Sequence, residues 1–287
     1  MIMNKNYILA LAAVIVASLC SCLNNSGSVA SDSDSDKVTD STLCQFSNIK
    51  VEKMFSYDDE ERDTLYFDNT FIAFWPEVIN GKRCTELQQA LFRAMTDSAE
   101  LNQLDKVTDF LLDPSNYTDY ESKRLVPVKS VKGDDNNLST SEVRVNMESM
   151  TDRLLTYHLG TYSYMAGAAH GIYAHNYVTY DLQNEKAVTF EDVIADTTLL
   201  RTTILKAIKQ AYDYDKDDLF FPDNGLLPLP RDFYFRDQVL YVVYQVYEIA
   251  SYAQGLIEAP IYPYMLKPEE MKRLYTPYGL ELINFSE

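Results

Sequence analysis

The feature that most constrains this chain is period-two alternation in runs rich in β-branched and aromatic residues. In residues 64–75, TLYFDNTFIAFW, the apolar residues Leu65, Phe67, Phe71, Ala73 and Trp75 recur at odd positions, which sets them on one face of an extended strand. Ile49, Val51 and Phe55 do the same in residues 45–57, and the charged run from Asp58 to Asp63 reads as the turn between the two. Trp75-Pro76 is read as a strand end, because proline cannot donate to a ladder, and Asn80-Gly81 as the next turn. The pattern returns after residue 140. Val143, Val145 and Met147 alternate, and RLLTYHLGTYSYM, the small-residue loop AGAAHG and IYAHNYVTYDL read as a hairpin. DFYF, the turn Asp237-Gln238 and VLYVVYQVYEIA give a second hairpin, and Gly255 to Ile261 a further strand.

Helices interrupt these strands. Thr85-Glu86-Leu87-Gln88 has the form of a capping box, followed by Leu87, Leu91 and Met95 at helical spacing. Leu104, Val107 and Leu111 mark another helix before Pro114. Leu199, Leu200, Ile204, Leu205 and Ile208 mark a third over 197–212, with Asp196 or Thr197 as its cap. Pro268-Glu269-Glu270 opens a short fourth one. Strand runs broken by a few helices predict an α+β fold: two small antiparallel sheets with helices packed on one face, in tandem. The polar stretch containing GDDNNLSTS divides an N-terminal domain, 43–130, from a C-terminal domain, 140–287.

Charge and the leader narrow the function class. With 43 Asp+Glu against 25 Lys+Arg, the net charge is −18, which argues against nucleic acid as a partner. Residues 1–22 carry one charge, Lys5, and an apolar run from Tyr7 to Leu19 too short for a comfortable span. Leu19-Cys20-Ser21-Cys22 resembles a bacterial lipobox with Cys22 as the lipidated residue. Cys20 fits less well, because Leu19 would then precede the cleavage; an ordinary signal peptide is the alternative. Residues 23–42 are small, polar and acidic, and read as a flexible linker. These readings expect a protein held to the membrane by a lipid anchor, on the extracytoplasmic side of a bacterial cell envelope. The remaining cysteines, Cys44 and Cys84, form an even pair in an exported chain, which expects a disulfide; two buried thiols are the alternative.

YSYMAGAAHGIYAHNYVTYDLQNEKAVTFEDVI, with the later DFYFRDQVLYVVYQVYEIASYAQGLIEAPIYPYML, resembles the domain family at the C-terminus of the anti-sigma factor RsiV and in the peptidoglycan deacetylase PdaC. FIAFWPEVINGKRCTELQQALFRAM resembles the smaller domain that usually precedes it. The resemblance spans residues from about 45 to 275. It implies a wall-facing or protein-binding role, since the RsiV domain binds lysozyme. The lipobox stands where RsiV has a cytoplasmic segment and a span, and nothing corresponds to PdaC's catalytic domain, so neither sigma-factor control nor deacetylation carries over.

The chemical candidates are few. His170, between Gly167 and Gly171, sits where an imidazole can meet a ligand, and Tyr164, Tyr173 and Tyr177 crowd the same hairpin. Tyrosine offers a flat apolar face and a hydroxyl, suited to sugar rings or protein partners, although sheet packing explains tyrosines equally well. His170 and His175 lie five apart and would face opposite ways on a strand, so no metal is expected. Asp32, Asp34 and Asp36, and the run Asp213 to Asp218, imitate calcium loops without the required glycine and glutamate. No cofactor motif is present. The expectation is a non-enzymatic binder of cell-wall glycan or of an extracytoplasmic, lysozyme-like protein through Gly167, His170, Gly171, Tyr173, Tyr164 and Tyr177. The alternative is a peptidoglycan or polysaccharide hydrolase, or deacetylase-associated enzyme, using His170 and nearby carboxylates.

Overall fold

The computed structural model describes residues 44–58, 64–131, 136–222 and 225–284. The leader with Cys22, the linker 23–42 and the Asp32 alternation lie outside the described residues. In chain order the elements are strands β1 (Cys44–Tyr57), β2 (Leu65–Ile79) and β3 (Lys82–Arg83), helices α1 (Thr85–Thr96) and α2 (Leu104–Leu112), then β4 (Leu125–Val128), β5 (Leu138–Met150), β6 (Leu154–Tyr164), β7 (Ile172–Asp181) and β8 (Lys186–Ala187). Helices α3 (Phe190–Val193) and α4 (Thr197–Tyr212) follow, then β9 (Asp232–Arg236), β10 (Val239–Tyr244), β11 (Ile257–Ile261), α5 (Pro268–Leu274) and α6 (Pro277–Leu282).

The strands form two open sheets. One has eight strands in the order β4-β1-β2-β5-β6-β7-β8, with β3 also on β2; the other runs β11-β10-β9. The α+β class and the mostly antiparallel pairing match the sequence reading. The strands are not shared out one sheet per half, because β2 pairs in parallel with β5, Phe71 opposite Val143, and so carries one sheet across the polar stretch. A parallel pair needs a long crossover, which α1, α2 and β4 supply.

Alternation sorts the larger sheet into two faces. Phe71, Ala73, Val145, Leu155, Tyr157 and Leu159 point into a core closed by Leu87 and Leu91 of α1 and Val107 of α2. A second core joins α4 (Ile204, Ile208) and α5 (Leu274) to the three-stranded sheet through Val242, Tyr244 and Ile257. Each such aliphatic side chain contributes roughly 1.5–3 kcal/mol on full burial. Helix α4 is capped by Asp196, whose carboxylate accepts from Leu199 N at 2.8 Å, and it ends at Asp213 in the left-handed region (φ 60°).

Four sequence expectations are corrected. Strand β2 continues through Pro76 to Ile79, because a bulge between Gln45 and Phe46 breaks the β1–β2 register where the missing N–H falls. The capping box at Thr85 is not made: Cys84 is the N-cap, without a side-chain bond, and Gln88 Nε2 instead donates to Pro76 O at 2.7 Å. Cys44 and Cys84 are free thiols. Cys44 pairs with Ile79 on the β1 side of β2, whereas Cys84 N–H donates to Glu77 O at 3.1 Å beyond β3, on the other side, so β2 runs between them. Burial, with Cys44 and Glu77 nearby, pushes the Cys84 thiol up to about 11. Last, β10 stops at Tyr244 instead of continuing through Ile249. Gln245 to Glu248 form a turn in which Glu248 N–H donates to Gln245 O, and Tyr247 adopts φ 68°.

Candidate functional site

The β6–β7 hairpin builds the site. Its register sets His158 opposite Tyr177, Gly160 opposite His175 and Tyr162 opposite Tyr173. Alternation sends Leu155, Tyr157, Leu159, Val178 and Tyr180 into the first core, so His158, Gly160, Tyr162, Tyr173, His175 and Tyr177 share the other face. Gly160 leaves room there: a Cβ would stand 3.2 Å from His158 Cε1. The two imidazoles therefore meet edge to face, 4.6 Å between centroids at 67°.

At the tip, the loop turns at Gly167 (φ 78°), with Ala168 N–H donating to Met165 O at 2.9 Å. His170 is exposed and lies flat on Tyr252, 4.2 Å between centroids at 25°. Both side chains are tied to one carbonyl: His170 Nδ1–H donates to Gly171 O at 2.9 Å, and the Tyr252 hydroxyl donates to it at 2.7 Å. Tyr252 sits on a short 3-10 turn braced by Ser251 and Gln254. Tyr247 lies 5.5 Å from Tyr252, and Tyr173 lies 6.0 Å from it. Gly255 passes close to Tyr173: a Cβ there would be 3.3 Å from the Tyr173 hydroxyl. His170, Gly171, Tyr173, Tyr247 and Tyr252 thus form a ring platform at the molecular surface.

Ring contacts continue from this platform along β7. Tyr173 and His175 are 5.7 Å apart, His158 and Tyr177 5.1 Å, and Tyr177 stacks on Tyr234 at 4.2 Å and 20°. Tyr234 in turn stacks on Tyr241 at 4.8 Å. Around this inner stretch lies a cavity of about 330 Å³, lined by Glu148, His158, His175, Tyr177, Tyr234, Arg236, Leu256 and Glu258. The Tyr177 hydroxyl donates to Glu258 Oε1 at 2.9 Å, and Arg236 Nη1 donates to Glu148 Oε1 at 2.9 Å.

Beyond its short pairing with β8, the outer edge of β7 is closed by side chains from β9 and from the turn after β10. His175 N–H donates to Gln245 Oε1 at 3.0 Å, Gln245 Nε2 donates back to His175 O at 2.7 Å, and Tyr177 N–H donates to Asp232 Oδ1 at 3.1 Å. This side-chain clamp satisfies backbone groups that an edge strand would otherwise expose.

Burial, then the neighbouring His175, lowers the His158 pKa to about 4. His175 is also lowered by burial, against the pull of Glu258 and Glu148. Both imidazoles are therefore neutral near pH 7. Asp232 is raised to about 6, mainly by burial and against the Tyr177 N–H bond. Burial followed by the Glu258 charge raises Tyr177 far above its ordinary value. Burial pulls Arg236 down, but its bond to Tyr241 and the Glu148 carboxylate outweigh this and keep it charged.

Of the residues expected from sequence, His170, Gly171 and Tyr173 come together. Tyr177 joins the inner cavity instead, Gly167 marks the loop tip, and Tyr164, at the tip end of β6, pairs with Thr140 of β5. Tyr247 and Tyr252 belong to the tyrosines that crowd the second hairpin in the sequence, open to use in a binding face, whereas the His158–His175 pair, Tyr234, Arg236, Gln245 and Glu258 were not anticipated. The hairpin tip alone would have revealed the histidine pair, since Gly160 and His175 are equidistant from Gly167-Ala168. Among the described residues, no three of His, Cys, Asp or Glu gather as a metal site, and no helix is long and apolar enough to cross a membrane.

A comparison with curated protein sequences finds no match. Among solved structures, the chain is similar to a member of the DUF3298 family from Bacteroides fragilis NCTC 9343, at 16% identity and a TM-score of 0.58, covering 83% of this chain and 96% of that one. A DUF3298 family protein from Pseudomonas aeruginosa PAO1 gives 16% identity and a TM-score of 0.49, over 82% and 96%. The Bacteroides likeness supports the fold alone. Residues 189–263, which hold Asp232, Tyr234, Arg236, Gln245, Tyr252 and Glu258 from one wall of the site, match the model of DUF3298, a protein family of unknown function.

Proposed function

We propose that this chain is a non-enzymatic, lipid-anchored protein of a bacterial envelope that binds wall glycan through the ring platform at the β6–β7 tip. The observation that carries the reading is the stack of His170 on Tyr252, with both side chains held by Gly171 O. Rings fixed before binding lose little freedom when a ligand arrives. A pyranose has apolar C–H faces and a hydroxyl rim, the complement of a flat ring flanked by phenol and imidazole groups. The anchor rests on the lipobox at Cys22, and the envelope location on the same leader. The non-catalytic part rests on the partners of His170, a backbone carbonyl and a tyrosine ring, which orient the imidazole without a carboxylate to share its proton.

Calorimetric titration of the purified protein with N-acetylglucosamine oligosaccharides tests the platform. Binding should weaken about tenfold or more in a His170→Ala, Tyr173→Ala double variant that melts at the wild-type temperature. Identical isotherms would remove the platform from the account. A lysozyme-like protein captured by the platform in place of glycan would shift the reading to a protein partner. Palmitate labelling should be lost in Cys22→Ser; a wild-type protein that takes up no palmitate would refute the anchor, and labelling that persists in the variant would move it off Cys22.

A further inference from the structure

We infer that the cavity between Glu148, His175, Tyr177, Arg236 and Glu258 is a subsite for one uncharged sugar ring and that it disfavours anionic sugars; this rests on the glycan reading of the platform beside it. Its size, about 330 Å³, is at the low end of the roughly 300–1,000 Å³ typical of small-molecule sites, which suits one ring better than an extended ligand. Its groups suit hydroxyls. A carboxylate offers about four acceptor positions and a guanidinium five donors, and the protein bonds of Glu258, Glu148 and Arg236 use only part of them while fixing their places. His158 and His175 line the same wall with imidazoles held edge to face, 4.6 Å between centroids.

Charge sets the selectivity. Two carboxylates face one guanidinium in a chain of net charge −18, so a sugar carboxylate meets repulsion that a neutral ring does not. The cavity also neighbours the platform through the ring contacts of β7. Tyr173 bridges them, 5.7 Å from His175 and 6.0 Å from Tyr252, so a glycan with one ring in the cavity can lay its neighbours over Tyr173 and Tyr252.

The three histidines separate the two sites. His158 and His175 line the cavity and His170 lies on the platform, so a protein labelled with ¹³C at histidine Cε1 reports each by its own resonance. At about 50 mM, well above a millimolar Kd, N-acetylglucosamine should shift His158 and His175 but not His170, while glucuronic acid shifts neither. The N-acetylglucosamine tetrasaccharide should shift all three. Glu258→Gln, which keeps an acceptor for Tyr177, and Glu148→Gln on the opposite wall should each weaken the monosaccharide by about tenfold. Cavity histidines that stay still while the tetrasaccharide shifts His170 would overturn the subsite and leave the platform standing. Equal binding of glucuronic acid, or full affinity in both glutamine variants, would overturn it too. A tetrasaccharide that shifts His158 and His175 but not His170 would support the subsite and refute the platform.

Discussion

Gly171 and Gly279 show how differently one methyl group acts at two close approaches. A Cβ on Gly279 would lie 2.5 Å from Val193 O, a backbone atom between α3 and α6 that cannot swing aside. Gly279→Ala should therefore cost about 1–3 kcal/mol in urea denaturation. A Cβ on Gly171 would lie 2.4 Å from the hydroxyl of Tyr162, which is 43% exposed and can turn away. Gly171→Ala should cost less than Gly279→Ala and act on the platform instead; the reverse order would contradict this packing. Titration also belongs to this scale. His158 has a folded pKa of about 4 against a reference of 6.5, so the unfolded chain binds its proton first and stability is lost as pH falls between those values. Asp232 has the opposite sign: its folded pKa of about 6 exceeds the reference of 3.8, so acidification across that window adds stability. The two oppose each other between about pH 4 and 6. Asp232→Asn should unmask the histidine, making the loss from pH 7 to 4.5 steeper by roughly 1–3 kcal/mol. Equal pH slopes for wild type and variant would contradict the opposition.

The edge of β7 is the element on which the site depends most. It carries His175 and Tyr177, whose outer hydrogen bonds go to Gln245 and Asp232, since the short strand β8 pairs only with Tyr180 and Asp181. Gln245→Ala should cost about 1–3 kcal/mol and speed amide exchange at His175, while exchange at Leu159, deep in the first core, stays slow. Unchanged exchange at His175 would show that the clamp holds nothing. Elements of this kind were readable from sequence where the signal was local. The alternation of Leu65 to Trp75 gave a strand, the spacing of Leu200, Ile204 and Ile208 gave α4, and Asp196 gave its cap. What could not be read was set by partners distant in sequence. Pro76 is tolerated because of a bulge made with Phe46, and Gln88 is taken by Pro76 O instead of closing a capping box. VLYVVYQVYEIA reads as one long strand, yet Gln245 leaves it to hold β7.

At the scale of the molecule, the parallel pairing of β2 with β5 ties both halves of the chain into one sheet. No local pattern announces it, since each strand alone has the alternation of an ordinary hairpin member. Residues 44–131 expressed alone should lack a cooperative unfolding transition, because β2 would lose β5, and Phe71 would lose the cover of Val143, Val145 and Tyr157. A sharp melt for that fragment would show instead that the N-terminal half is self-sufficient. Half of the site was likewise visible in advance. The small residues around His170 marked a loop open to ligands, but the ring that fixes His170, Tyr252, arrives from a turn beyond β10. The proposed glycan contact is this ring platform, built by the β6–β7 loop and the turns after β10. Co-sedimentation with purified peptidoglycan sacculi tests it most directly, comparing the wild-type protein with a Tyr173→Ala, Tyr252→Ala variant of unchanged melting temperature. The account predicts that the wild type pellets with the sacculi and the variant stays in the supernatant; equal pelleting of the two would contradict it.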